Sequence, residues 1–382
     1  MRTDDDLRAE FTDGEIGRSR RYHRPGYVAA GVDAAVGVAV LAALAFGAPG
    51  NAVFGWFERL PWWGSGPLFA AATVVLLTVA GLPVGIWRYR RERRWGFSTQ
   101  PPGGWVRDLA KGLAIGVVLG SAVLTGYLWL VRTLPSWWPV AGAVAAALVV
   151  LLLTFVAPVV LEPIFNRFEP MPDRDLANRL RALAERAGVP VASVLVADAS
   201  RRTRKQNAYV SGLGATRRVV VFDTLLTEDS GDGVPVIVAH ELGHRRLRHV
   251  ARATALGMAG AAGFVVALWA VLRSGAVLAA AGATGPGDPR VIPFVVFAAT
   301  VFEFLMLAPQ SALSRRWESA ADRFAVDLTG DAGAFAVAFR DLAVRNVLDL
   351  DPPPPVYLLL FSHPTAPQRI AAARRRGETS DA

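Results

Sequence analysis

Apolar residues in this chain gather into six long runs, at roughly 28–48, 67–88, 109–131, 138–161, 252–272 and 291–311. Each approaches or exceeds the ~20 residues that a helix needs to cross the hydrocarbon core of a bilayer. The pattern predicts a polytopic membrane protein with about six helical spans. A further apolar run at 274–282 is too short to cross and reads as part of a loop. Residues 1–27 are polar and end in Arg18-Ser-Arg-Arg-Tyr-His-Arg24. They are too polar, and extend too far before the first run, for a secretory signal, and read as an N-terminal tail.

One long polar stretch, 163–250, separates the fourth run from the fifth. Within it, 173–187 has apolar positions at helical spacing and Gly188 supplies a stop. Val191–Val196 reads as a strand, and Asn207–Gly214 with Arg217–Phe222 as two strands joined by a glycine-containing turn. A helix is expected over 234–250. The chain then divides into a tail at 1–27, a four-span membrane domain at 28–162, a domain at 163–372 that includes the last two spans, and a charged tail at 373–382. The fold class is mainly α: a membrane helical bundle carrying an α+β domain.

Composition agrees. Hydrophobic residues make up 53% of the chain, above the ~45–50% usual in soluble proteins. Cysteine is absent, which excludes disulfides, thiolate metal ligands and a cysteine nucleophile. The net charge of +9 comes from arginine, Lys111 and Lys205 being the only lysines. Nucleic-acid binders carry such charge, but here the arginines flank the apolar runs, so topology accounts for them and no nucleic-acid partner is expected. Arginine is rich at 1–27, 89–108, 163–250 and from Arg315 onward, and poor at 49–66, 132–137 and 273–290. The positive-inside rule then puts both termini and the polar domain in the cytoplasm of a multi-pass cell-membrane protein. The Ala/Arg/Val/Gly-rich, Lys-poor usage points to a GC-rich bacterial genome.

Candidate chemistry begins at Val238-Ala-His-Glu-Leu-Gly-His244. On a helix, His240 and His244 share a face and can bind one zinc ion, with Glu241 in reach of a water on that metal. Those residues suggest peptide hydrolysis, although a bare H-E-x-x-H also arises by chance on amphipathic helices. A catalytic zinc needs a third ligand, here His, Asp or Glu. His249 lies ~140° round a continuous helix from His244 and should face away. Ser314-Arg-Arg-Trp-Glu-Ser-Ala-Ala-Asp-Arg-Phe-Ala325 offers Glu318 and Asp322 four residues apart. Glu318 could ligate while Asp322 orients a histidine. The spacing equally fits a surface helix whose carboxylates pair with Arg315, Arg316 or Arg323.

Together these residues resemble the type I CAAX prenyl endopeptidases, integral-membrane gluzincin zinc proteases. The likeness extends to Gly96-Phe-Ser-Thr-Gln100, to Pro158–Met171, to Gln206–Gly212 with Val219–Leu226, to Ser314–Ala325, and to His363-Pro with Arg369-Ile370. It runs from about residue 25 to 372. It implies a gluzincin-like domain on the cytoplasmic side, one Zn2+ on His240, His244 and Glu318, and Asp322 behind them. Glu241 becomes the catalytic base. His363 is implied to stabilise the oxyanion, Asn207 and Ala208 to bind substrate main chain, and Arg369 to support that region. Two features depart from the family. Ser319 and Ala320 replace a pair that is often bulkier, and the family often has one more span.

The expected partners are the lipid bilayer and a peptide or membrane-protein substrate. A quality-control protease of membrane proteins is one alternative. Another is a channel or scaffold with a vestigial metal site, in which Glu162 and Glu303 near span ends would be transport carboxylates; their positions near the interface fit snorkelling or docking against the polar domain better.

Overall fold

The structure is a computed structural model and describes residues 4–212, 214–226 and 233–380. In chain order the first elements are helices α1 (Asp4–Glu10), α2 (Asp13–Phe46), α3 (Ala48–Gly55), α4 (Trp62–Arg94), α5 (Pro102–Thr133) and α6 (Trp138–Val156), a π-turn at Ala157–Leu161, and α7 (Glu162–Phe165). The polar domain follows with β1 (Phe168–Pro170), α8 (Arg174–Arg186), β2 (Ser193–Ala197), β3 (Ala208–Ser211), β4 (Arg218–Phe222) and α9 (Gly233–Arg246). The chain then forms α10 (His249–Leu272), α11 (Gly275–Ala280), α12 (Ile292–Thr329), α13 (Ala332–Asn346), α14 (Pro354–Leu360) and α15 (Ala366–Ser380).

Six helical segments are long and apolar enough to span a membrane: Asp13–Phe46, Trp62–Arg94, Pro102–Thr133, Trp138–Phe165, His249–Leu272 and Pro289–Thr329. They contain five of the six apolar runs whole, and the first as far as Phe46. Val118, Val144, Leu152 and Leu305 stay exposed on them, as expected of side chains facing lipid rather than a packed interior. Pro25, Pro67, Pro83 and Pro309 lie inside these helices, which membrane helices tolerate because neighbours re-satisfy the freed backbone groups.

The described parts of both expected tails, 4–27 and 373–380, are folded. Leu7, Phe11 and Ile16 are buried in the core of the polar domain, and Thr12 and Glu15 form a reciprocal capping box that starts α2. Residues 13–27 are thus the first turns of the first span helix, because their apolar positions find a partner that the sequence pattern alone did not supply. At the other end, Ile370 and Ala373 are buried and Arg376 binds Asp327 through two contacts of 2.5 and 2.7 Å. The segment 373–380 is therefore helix rather than a solvated tail. The run at 274–282 is also not all loop: it contains α11, whose Val277 and Leu278 pack on the membrane core.

The four-stranded sheet has the order β1-β2-β4-β3. β2 and β4 are parallel, and β3 pairs antiparallel with β4 in the register Ala208↔Val221, so β3 is an edge. The turn between β3 and β4 needs Gly212. Its φ is +77°, and a Cβ there would lie 2.3 Å from Thr216 O. β1 is only three residues and contains a proline, so it carries no alternation for a sequence reading to detect. Glu162 fastens the sheet to the end of the fourth span. It accepts hydrogen bonds from Ser211 Oγ at 3.1 Å and Tyr209 OH at 3.3 Å, and pairs with Arg218 at 3.3 Å. These contacts are the docking against the polar domain that the position of this carboxylate suggests.

Two helix boundaries differ from expectation in ways that shape the site. The helix expected over 234–250 stops at Arg246; Arg248 adopts a left-handed conformation, φ 58°, and the next helix starts at His249. The last span and the Ser314–Ala325 segment, in contrast, are one 38-residue helix, α12, ended by Gly330 at φ 70°.

Candidate active site

α9 and α12 meet through their smallest side chains. A Cβ added to Gly243 would lie 3.1 Å from Phe324 Cδ1 and 3.2 Å from both Cα and O of Ala321. Glycine against alanine lets the two backbones approach closely. Three residues earlier on each helix, on the same faces, His240 confronts Glu318. Ala321, three residues after the glutamate, thus belongs to the seam that positions the carboxylate.

His240, His244 and Glu318 turn donor atoms toward one point. The Nε2 atoms of the two histidines are 3.2 Å apart. Glu318 Oε2 is 3.2 Å from His240 Nε2, and its Oε1 is 3.3 Å from His244 Nε2. Among the described residues this is the group able to hold a metal ion. Two imidazoles and a carboxylate are a donor set that suits zinc. A further observation supports the fit: Glu318 Oε2 is buried and receives no hydrogen bond of good geometry, a costly state for a carboxylate oxygen unless a cation engages it. His363 reaches the same carboxylate, its Nε2 3.3 Å from Glu318 Oε1. It is half-exposed, and its Nδ1 contacts Ser362 Oγ at 2.7 Å.

Behind each histidine stands another side chain. His240 Nδ1 is 2.8 Å from Asp322 Oδ1, and Arg369 holds Asp322 with its Nε at 2.9 Å and its Nη2 at 2.5 Å. Arg369 lies 4.0 Å over the Phe339 ring and is itself buried. A buried ion pair of this kind stands because both charges are engaged; removing one partner typically costs ~3–5 kcal/mol. Arg369, implied by the family resemblance to support the substrate region, holds Asp322 and also borders the cleft. On the other ligand, His244 Nδ1 is 3.1 Å from His249 Nδ1, and the His249 ring stacks on Trp317 at 5.4 Å with 12° between planes. His249 therefore does not face away. The helix break at Arg248 redirects it, and no periodicity argument could have found this.

The electrostatics favour positive charge in the centre. Burial and Arg369 push His240 down, but the carboxylates of Asp322 and Glu318 beside it win and leave it at about 9. Burial pushes the Glu241 carboxyl up, against the pull of His240 and His244. Glu241 and His240 border a cleft of about 660 Å³ whose walls include Phe222, Ile237, Phe339 and Leu342. Asn207 also lines it, and the Asn207 carbonyl accepts from Phe222 N at 3.0 Å. Ala208 is buried at the start of the edge strand. Gln206 fixes that start: its N donates to Asn346 Oδ1 at 2.8 Å and its O accepts from Asn346 Nδ2 at 2.9 Å. Arg245 donates to the Val210 carbonyl further along β3. His249, Arg245 and Asn346 were not singled out as functional from sequence, since each acts through a contact distant in the chain or across a helix break.

Comparison with known proteins agrees with this architecture. Residues 170–377 match the family model for peptidase family M48, and residues 2–167 match that for the CAAX prenyl protease N-terminal segment with five membrane helices. In that segment this chain has four spanning helices and the eight-residue α3. An uncharacterized metalloprotease of Bacillus subtilis, YhfN, is 29% identical over 314 residues, covering 80% of this chain and 72% of the relative. CAAX prenyl protease 1 of Saccharomyces cerevisiae is 28% identical over 314 residues, covering 78% and 69%. The crystal structure of S. mikatae Ste24p shares the fold, with a TM-score of 0.85 at 23% identity over 96% of this chain and 90% of that one.

Proposed function

The chain belongs to peptidase family M48, and from that membership we propose that its metal is zinc, held by His240, His244 and Glu318, and that the enzyme cleaves peptides in the cleft beside α9. The observation that carries the reading is the convergence of three donor atoms at 3.2–3.3 Å around a buried carboxylate oxygen without a hydrogen bond. Zinc bound there supplies Lewis acidity toward the scissile carbonyl and the attacking water.

The remaining work falls to side chains. Glu241, next in sequence to His240 and bordering the cleft, accepts the proton of the attacking water and returns it to the leaving amine. His363, at the mouth of the site, donates a hydrogen bond to the carbonyl oxygen as negative charge develops there. Asn207 and Ala208, at the open edge of the sheet, hold the substrate main chain by strand addition. Asp322, held by Arg369, keeps the His240 ring oriented. The apolar cleft walls favour substrates with apolar side chains near the scissile bond. The names of the eukaryotic relatives suggest C-terminal peptides of lipidated proteins as the substrate class. The arginine bias of the loops supports a site that faces the cytoplasm.

Metal analysis combined with cleavage of an internally quenched peptide tests the proposal. The purified protein should contain about one zinc per chain and lose cleavage with a chelator. Glu241→Gln should keep its zinc and lose ~10²–10⁴-fold in kcat. Undiminished cleavage by Glu241→Gln would remove Glu241 from the mechanism.

A further inference from the structure

Flanking the face of α12 that meets the paired histidines, a groove of about 970 Å³ runs between α12, α14 and α15. Six arginines line it: Arg315, Arg316 and Arg323 from α12, and Arg369, Arg375 and Arg376 from α15. One carboxylate, Asp322, lines it as well, and that carboxylate is already engaged by Arg369 and His240. Asp327 neutralises Arg376. Arg315, Arg316 and Arg323 thus leave the groove positive, in a volume suited to a small ligand. Arg315 is fixed at its wall, donating to the carbonyls of Tyr357 at 3.0 Å and Phe361 at 2.6 Å, with its guanidinium 4.7 Å over the Tyr357 ring. Arg316 and Arg323 are exposed, and neither pairs with a carboxylate among the described residues.

The groove also has an address. The apolar part of α12 gives way to polar residues near Gln310, and Arg315 follows about five residues later, ~7.5 Å along the helix axis. That offset corresponds to the headgroup layer outside the hydrocarbon core. Beside it, α14 leaves Leu358, Leu359 and Leu360 52%, 39% and 49% exposed. Exposed leucines adjoining arginines at this depth have the character of an interfacial segment. Guanidinium groups suit phosphate because their planar forks donate two parallel hydrogen bonds.

We propose that this groove binds a phosphate ester through Arg315, Arg316 and Arg323, carried either by the headgroup of an anionic lipid or by a soluble phosphate compound. The inference does not depend on the peptidase reading, since Arg315, Arg316 and Arg323 are separate from the donor group of His240, His244 and Glu318. It is tested on the full chain in mild detergent by native mass spectrometry, titrating phosphatidylglycerol, phosphatidylcholine and glycerol 3-phosphate in separate arms. The wild type should retain phosphatidylglycerol over phosphatidylcholine. The Arg316→Gln/Arg323→Gln variant should lose about tenfold or more in phosphatidylglycerol affinity. Arg174→Gln/Arg179→Gln, which removes the same charge from the exposed face of α8, should lose little.

Glycerol 3-phosphate that binds weakly and fails to displace the lipid identifies the bilayer as the source. Glycerol 3-phosphate that binds as tightly, with the same tenfold loss in the groove variant, identifies a soluble ester. Equal phosphatidylglycerol binding by wild type and groove variant overturns the proposal, as does an equal loss in the α8 control. Thermal unfolding checks that the variants are folded. Should the double variant unfold, Arg323→Lys keeps the charge and removes the fork, and unchanged affinity in that variant counts against the site.

Discussion

Asp322 and His249 stand behind the two ligand histidines and do so with different chemistry. Asp322 offers His240 a buried negative charge that is itself held by Arg369. His249 offers His244 a neutral ring nitrogen at 3.1 Å and a stack on Trp317. Partners of this kind commonly contribute ~10–100-fold to metal affinity, and a charged partner contributes more than a neutral one. Asp322→Asn is therefore expected to fall at the upper end of that range and His249→Ala at the lower. Competition with a chromophoric zinc chelator measures both, and equal losses would contradict the ranking. Glu241 sets a second expectation at this scale. Burial raises its carboxyl, and a general base must be ionised to act. Activity should therefore fall as pH drops through a value above the ordinary carboxylate range. The pH profile of kcat/KM, taken with zinc content at each pH, separates titration of the base from loss of the metal.

At the scale of elements, the site depends on how closely α9 approaches α12. Gly243 is the point of contact, and the atoms that an added Cβ would meet include Cα and O of Ala321. These are backbone atoms and cannot rotate aside, so α12 itself must shift. Overpacking of this kind costs ~1–3 kcal/mol, against a gain of ~1 kcal/mol when alanine replaces glycine inside a helix. The two nearly cancel at the low end, so the melting temperature of Gly243→Ala is expected to fall only modestly. Metal affinity should fall more clearly, because the shift separates Glu318 from His240. A variant with native zinc affinity would show that the seam does not control the ligand distance. Element structure also explains why the fold was only partly legible. The span helices and the β3–β4 pair follow from periodicity and from Gly212. The union of the last span with the third-ligand helix does not, because Ser314–Ala325 has a different polarity from the run before it and reads as a separate segment.

The whole molecule is polarised along the membrane normal. The polar domain, α1 and the ends of α4 and α6 lie at one end; the loops that follow α2, α5 and α10 lie at the other. Tyr127 OH and Arg132 at the end of α5 bind the carbonyls of Pro286 at 2.8 Å and Gly287 at 2.7 Å there. The proposed orientation, with the polar domain in the cytoplasm, follows from the arginine bias of the loops. The absence of cysteine makes the assignment easy to check, since one introduced thiol is the sole target of a maleimide. Arg174→Cys, exposed on α8, should be labelled by an impermeant maleimide only after the membrane is opened. Glu58→Cys, exposed between α3 and α4, should be labelled in intact cells. The reverse pattern would invert the topology.

The six spans and the common face of His240 and His244 were determined by sequence alone, because each depends on spacing within one helix, and the class of chemistry followed from the resemblance of several ordered motifs. His240 and His244 share a face wherever that helix lies, and ~20 apolar residues span a bilayer whatever their neighbours. Glu318 could be nominated from its spacing to Asp322, but the same spacing fits a surface ion pair. Only the tertiary structure could decide between them, by bringing α12 against α9 through Gly243 and Ala321. It also decided the fate of both chain ends. Leu7, Phe11, Ile16 and Ala373 are too few to predict a core by themselves, and are buried because distant parts of the chain fold against them. His249, finally, owes its place to one left-handed residue, Arg248. A break in a helix changes every direction after it, and nothing in the local pattern of apolar and polar positions announces that break.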